Sequence, residues 1–106
     1  MAAGRDSVQI KRIRNEVLVA LRTVYPAAMQ ADQIMRSLLP LFPTLEFDAF
    51  RRDLHYLLEK GYLLRVVSEH EADERLTAWR RRWFRLSVTG MEIADELITD
   101  PALSDS

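Results

Sequence analysis

The sequence predicts an α+β domain, mainly helical with one small β-hairpin, and two stretches carry that prediction. The first runs from Ala49 to Gly61 and on into Tyr62-Leu-Leu-Arg-Val-Val67. Phe47, Phe50, Leu54, Leu57 and Leu58 recur at steps of three and four, which draws one apolar stripe along a helix. Gly61 supplies the left-handed position that ends such helices, and the aliphatic residues after it read as a strand. The second stretch is Trp79-Arg-Arg-Arg-Trp-Phe-Arg-Leu86, a strand pattern reached through the polar, acidic segment Ser68–Thr77. Such a segment between two strands is expected to be a hairpin tip.

The remaining elements follow in order. Residues 1–6 are small and polar and are expected to fray. Ser7 is an N-cap for a first helix to about Val24, with Ile10, Ile13, Val17, Ala20, Leu21 and Val24 at helical spacing. Tyr25-Pro26 ends it, because proline disfavours helical backbone in the residue before it. Ala27–Met29 reads as a short strand, and Ala31–Leu39 as a second helix with Ile34, Met35, Leu38 and Leu39 inward. Pro40 and Pro43 bracket the connector to the third helix, expected over 44–60 with Thr44 as its cap and Glu46 in its first turn. In the strand 79–86, Arg82, Phe84 and Leu86 should share the inner face, and Trp79, Arg81, Trp83 and Arg85 the outer one. Ser87 caps a last helix from Val88 to about Thr99, with Met91, Ala94, Leu97 and Ile98 on its buried side. Asp100-Pro101 stops it. The expectation is one domain over 7–99 with loose ends at 1–6 and 100–106.

Bulk composition narrows the class. The chain has 106 residues, 48% hydrophobic and 29% charged, the balance of a globular domain with a modest core. No apolar run approaches the roughly 18 residues of a membrane span, and no secretory apolar block opens the chain, so a cytoplasmic setting without membrane contact is expected. The absence of cysteine agrees with that compartment and excludes disulfides and thiolate metal sites. The net charge of −1 argues against nucleic-acid binding driven by bulk charge. The kind of cation is more telling. Of the 15 cationic residues only Lys11 and Lys60 are lysines, and arginine suits bidentate contacts to phosphate and guanine. A GC-rich coding sequence yields the same bias.

The element order, α1-β1-α2-α3-β2-β3-α4, and two motifs resemble the winged helix-turn-helix superfamily. Phe50-Arg-Arg-Asp-Leu54, with Leu57 and Gly61 following, resembles the third-helix signature of DeoR-type bacterial regulators. Leu86-Ser-Val-Thr-Gly90, followed by Ile93-Ala-Asp-Glu-Leu97, resembles the junction between wing and last helix in PadR-like and MarR-like proteins. A weaker resemblance, through Asp48, Arg51, Asp53, Leu54, Leu57, Glu59 and Gly61 and then Leu86, Gly90, Ala94 and Pro101, is to small winged-helix proteins carried by Mu-like prophages. The resemblance implies a transcriptional regulator that lays its third helix in the major groove of duplex DNA. It also implies a homodimer formed through the last helix, joined by the first.

On a helical wheel Arg52, Tyr56 and Ala49 face away from the apolar stripe, with Arg51 at its edge. Arg52 is then the candidate for a base or phosphate contact, Tyr56 and Ala49 lie nearby, and Arg51 reaches phosphate or a neighbouring carboxylate. Lys11 and Arg12 at the start of the first helix are candidates for the DNA backbone, as are Arg81 and Arg85 on the last strand. The same charges also read plainly as solvated faces with local ion pairs. The acidic tip, with Glu69, Glu71, Asp73 and Glu74, repels phosphate. An alternative is therefore a protein-docking module without DNA binding. It would use Trp79 and Trp83 among the arginines, since tryptophan and arginine are enriched at interfaces. Met91 and Ile98, with Leu103 of the tail, are the candidate apolar dimer surface. No enzyme is expected: the chain has no Gly-rich phosphate loop and no paired metal histidines. His55 reads as exposed, and His70 among carboxylates is one imidazole only, so neither a cofactor nor a metal is expected.

Overall fold

The central helix α1, Ser7–Val24, buries Ile13, Val17, Leu18 and Leu21, a spacing of three and four that turns one stripe inward. The computed structural model describes residues 7–67 and 76–103. After Pro26 the chain forms a two-residue strand β1, Met29–Gln30, and then α2, Ala31–Leu38. Gln30 and Gln33 cap α2 reciprocally, each side chain meeting the other's backbone. Helix α3, Phe47–Glu59, leads through Gly61 at φ +78° into β2, Leu63–Val66. A 3-10 turn, Leu76–Arg81, precedes β3, Trp83–Leu86, and α4, Val88–Ala94, follows.

The described residues thus form an α+β domain of four α-helices and a three-stranded antiparallel sheet in the order β1-β3-β2. Leu63 pairs with Leu86 and Val66 with Trp83, while Met29 stands opposite Phe84. Leu63, Phe84 and Leu86 face the helices and are buried, and Phe50, Leu54 and Leu57 of α3 meet Ile34 and Leu38 of α2 in the same core. Among the described residues no helix is long and apolar enough to cross a membrane.

The motifs around Gly61 and Gly90 meet in space. Ser87 N–H donates to the Tyr62 carbonyl at 2.9 Å, and the Ser87 hydroxyl donates to the Gly61 carbonyl at 2.6 Å. The same hydroxyl oxygen accepts from Gly90 N–H, capping α4. A Cβ at position 90 would overlap the Tyr62 carbonyl oxygen, so glycine here permits α4 to press on the backbone before β2.

Several boundaries differ from the sequence expectation. Helix α3 begins at Phe47 with Glu46 as its cap residue, instead of at Thr44. Phe42 and Leu45 are buried, and a turn from the Leu45 N–H to the Phe42 carbonyl holds them there, so the connector runs longer before the helix starts. Strand β3 begins at Trp83, and Trp79, Arg80 and Arg81 belong to the 3-10 turn. The reason is parity. Positions 79 and 84 would point to opposite faces of one strand, yet Trp79 stacks on buried Phe84 with ring centres 5.7 Å apart. The turn rotates Trp79 into the core.

Helix α4 stops at Ala94, well short of Thr99. Glu96 takes a left-handed φ of 61°, and Glu96 and Leu97 N–H donate to the carbonyls of Ile93 and Glu92, the paired closure of a Schellman motif. Ile93 is buried in place of Leu97 and Ile98, which are 71% and 42% exposed. Residues 100–103 are not loose. Asp100 and Leu103 are buried, and the Asn15 side chain donates to the Leu103 carbonyl. Residues 1–6 and 104–106 and the expected tip through residue 75, with His70, lie outside the described residues.

Candidate nucleic-acid interface

The exposed side of α3 carries Asp48, Arg52, His55 and Glu59. Arg52 therefore points to solvent as expected, but between carboxylates at either end of the helix. His55 Nε2 lies 2.6 Å from a Glu59 carboxylate oxygen. Tyr56 and Ala49, expected beside Arg52, are half-buried and pack against the core. The Tyr56 ring lies 3.7 Å beneath the Arg14 guanidinium carbon, and Arg14 Nε reaches the Asp53 carboxylate at 3.3 Å. Asp53 is fully buried. Arg14, Asp53 and Tyr56 together fasten α1 to α3. The sequence did carry a signal for this: Asp53 stands three residues after Phe50 and four before Leu57, inside the helix face that the apolar stripe marks.

Arg51, Arg52, His55 and Trp79 line one open groove of about 310 Å³ between α3 and the 3-10 turn. Trp79 forms its floor and is not a docking side chain on the sheet surface, since one side of its ring rests on Phe84 and the Arg82 guanidinium lies 4.8 Å from its centre. Arg80 lies over the Phe47 ring at 4.0 Å. Phe47, Arg51 and His55 succeed one another at four-residue steps, so the turn follows one edge of α3. Arg81 is exposed at the end of the turn. Among the described residues, no carboxylate forms an ion pair with Arg51, Arg52, Arg80 or Arg81.

The other candidates lie elsewhere. Arg85 shares the outer face of the sheet with Trp83, opposite Leu64 and Val66. Lys11 is half-buried, and Arg12 lies over Phe42 at 5.2 Å, lining a separate groove with Leu41 and Pro43. Met91 packs against the core, while Ile98 lines a wide groove of about 670 Å³ with Val19 of α1 and Ile93.

At the base of the sheet the Tyr62 hydroxyl donates to Asp100 at 2.6 Å, and Lys60 Nζ lies 3.3 Å from the same oxygen. Burial, reinforced by the bond to Asp100, pushes the Tyr62 phenol up to about 12. Burial alone would raise Asp100, but the Tyr62 hydroxyl, the Ala102 N–H and Lys60 outweigh it and hold the carboxyl below its ordinary value. This cluster latches the C-terminal segment and takes no part in the groove.

No family model, curated protein or solved structure matches the chain.

Proposed function

We propose that this protein is a small winged helix-turn-helix DNA-binding protein that regulates transcription, with α3 as its reading helix. The observation that carries the reading is the gathering, along α3 and the adjoining turn, of arginines with no carboxylate partner among the described residues. Of the arginines elsewhere, Arg14, Arg22 and Arg36 have carboxylate partners within the fold, whereas Arg12 and Arg85 stand apart from one another and have none among the described residues. An unpaired cluster of guanidinium groups is suited to an external polyanion, and their planar forks match phosphate oxygens and guanine edges. The element order and the β1-β3-β2 sheet support the winged-helix reading. The exposed residues Val19, Leu97 and Ile98 beside the wide α1 groove support a homodimer. A pair of α3 helices would then address half-sites about one DNA turn apart.

The test is equilibrium binding of short labelled duplexes of random and genomic sequence at low salt, followed by a salt titration. The expected result is an affinity that falls steeply with salt, and a loss of about 1–3 kcal/mol on Arg52→Ala. Absence of binding at low salt would overturn the proposal. A second reading, a protein-docking module, draws on one specific observation: Leu64, Val66 and Trp83 are each 37–39% exposed on the outer sheet face, an apolar patch with Arg85 at its side. Trp79 is not available to it.

A further inference from the structure

Resting on the duplex-binding reading, we infer that the 3-10 turn Leu76–Arg81, and not the hairpin tip, supplies the second set of backbone contacts, with Arg80 and Arg81 holding phosphodiester oxygens beside the α3 groove. The turn is seated at one end by buried Trp79. At the other end its carbonyls are tied down: the Gln30 side chain donates to the Arg81 carbonyl at 3.2 Å, and Ala31 N–H to the Arg82 carbonyl at 2.9 Å. The Arg82 N–H closes the turn onto the Trp79 carbonyl at 3.2 Å. The backbone that carries Arg80 and Arg81 is therefore held before any ligand arrives, which lowers the ordering cost of binding.

The stack of Arg80 on Phe47 places its guanidinium over the first turn of α3. Stacking leaves the edge of the fork, with its N–H donors, directed outward for a phosphate. Arg51 and Arg52 open onto the adjoining groove, so the turn and the helix together offer a row of cations on two elements of fixed relation. By contrast, the chain between β2 and the turn carries Glu69, Glu71, Asp73 and Glu74, which oppose a phosphate backbone. The ligand chemistry this row fits is successive phosphodiesters of one duplex strand, where each neutralised phosphate releases condensed counterions.

The experiment is a salt titration of duplex binding, from about 50 to 200 mM, for the full chain and three variants. In Arg80→Gln/Arg81→Gln the slope of log affinity against log salt is expected to shrink by about 2, and in Arg81→Gln by about 1. Arg22→Gln removes the same charge from the last turn of α1, where it pairs with Asp95, and should leave the slope unchanged. Because Arg80 packs on Phe47, Arg81→Gln keeps the test valid if the double variant is destabilised. If wild type binds and Arg52→Ala weakens it while Arg81→Gln keeps the wild-type slope, the turn is not a contact and the duplex reading stands. Equal slope losses in Arg81→Gln and Arg22→Gln would also overturn the inference, since they would report bulk charge. If wild type binds no duplex at low salt, both fall together.

Discussion

Two regions of this molecule use cations in opposite ways. Where α1 meets α3, α4 and the C-terminal segment, cations are matched: Arg14 with Asp53, Arg22 with Asp95, Lys60 with Asp100. Arg51 and Arg52 in the groove between α3 and the 3-10 turn, and Arg81 on the turn itself, have no carboxylate partner among the described residues. The difference teaches what each set is for. A buried carboxylate stripped of its cation is costly, so the matched set belongs to the fold. A solvated arginine contributes almost nothing to folding, so the unmatched set is free to serve an external anion.

The comparison is open to attack through stability. The largest effect is expected for Arg14→Ala, which removes the guanidinium that meets the buried Asp53 carboxylate at 3.3 Å. The Asp53 side chain is 1% exposed, whereas that of Arg14 is 19%. Thermal and denaturant melts should show a loss of about 3 kcal/mol, the low end for a broken buried pair because the guanidinium retains some water. A loss under a few tenths would mean that the matched set does not support the fold.

The latch comes next. Asp100 is depressed in the folded state, so its stabilisation is complete above the ordinary carboxyl value and is lost as pH falls through the folded value. Wild type should therefore lose more stability than Asp100→Asn on acidification below about pH 4. For Tyr62, raised to about 12 from 10.0, the sign runs the other way: the stabilisation is present below 10 and lost as pH rises toward 12. Tyr62→Phe should cost about 1.5–3 kcal/mol at neutral pH, the range for a hydrogen bond to a charged acceptor, and should remove that alkaline component. A smaller gain of about 0.5–1 kcal/mol is expected for Glu96→Gly, because its left-handed φ of 61° strains a side-chain residue and suits glycine. The smallest change is expected at the groove itself. Arg52→Ala should move stability by no more than about 0.5 kcal/mol while weakening duplex binding.

Local chemistry made much of this fold readable. Three of the expected caps and stops stand where the sequence placed them, since Ser87 caps α4, Gly61 turns left-handed after α3, and α1 ends at Val24 before Tyr25-Pro26, whereas the Thr44 cap and the Asp100-Pro101 stop do not. The site was legible only in part. Arg51 and Arg52 line the groove as side chains of α3, but a wheel drawn without knowledge of α1 put Tyr56 in solvent. Arg14, more than thirty positions away, covers it. Likewise the alternation rule placed Trp79 on the outside, because it assumes an unbroken strand, and the 3-10 turn breaks it.

What the sequence determined by itself is the succession of α1 to α4 and the strands, the apolar stripes of α1 and α3, and the junctions at Gly61 and Ser87, because these arise within a few residues of chain. Tertiary structure alone decided which charges are matched and which are not. It turned Trp79 inward onto Phe84, ended α4 at Ala94 so that Asp100 returns to Tyr62, and set Arg80 over Phe47. Each of those outcomes joins residues distant in sequence, and their energies depend on burial and on the partner met there, which no local pattern records.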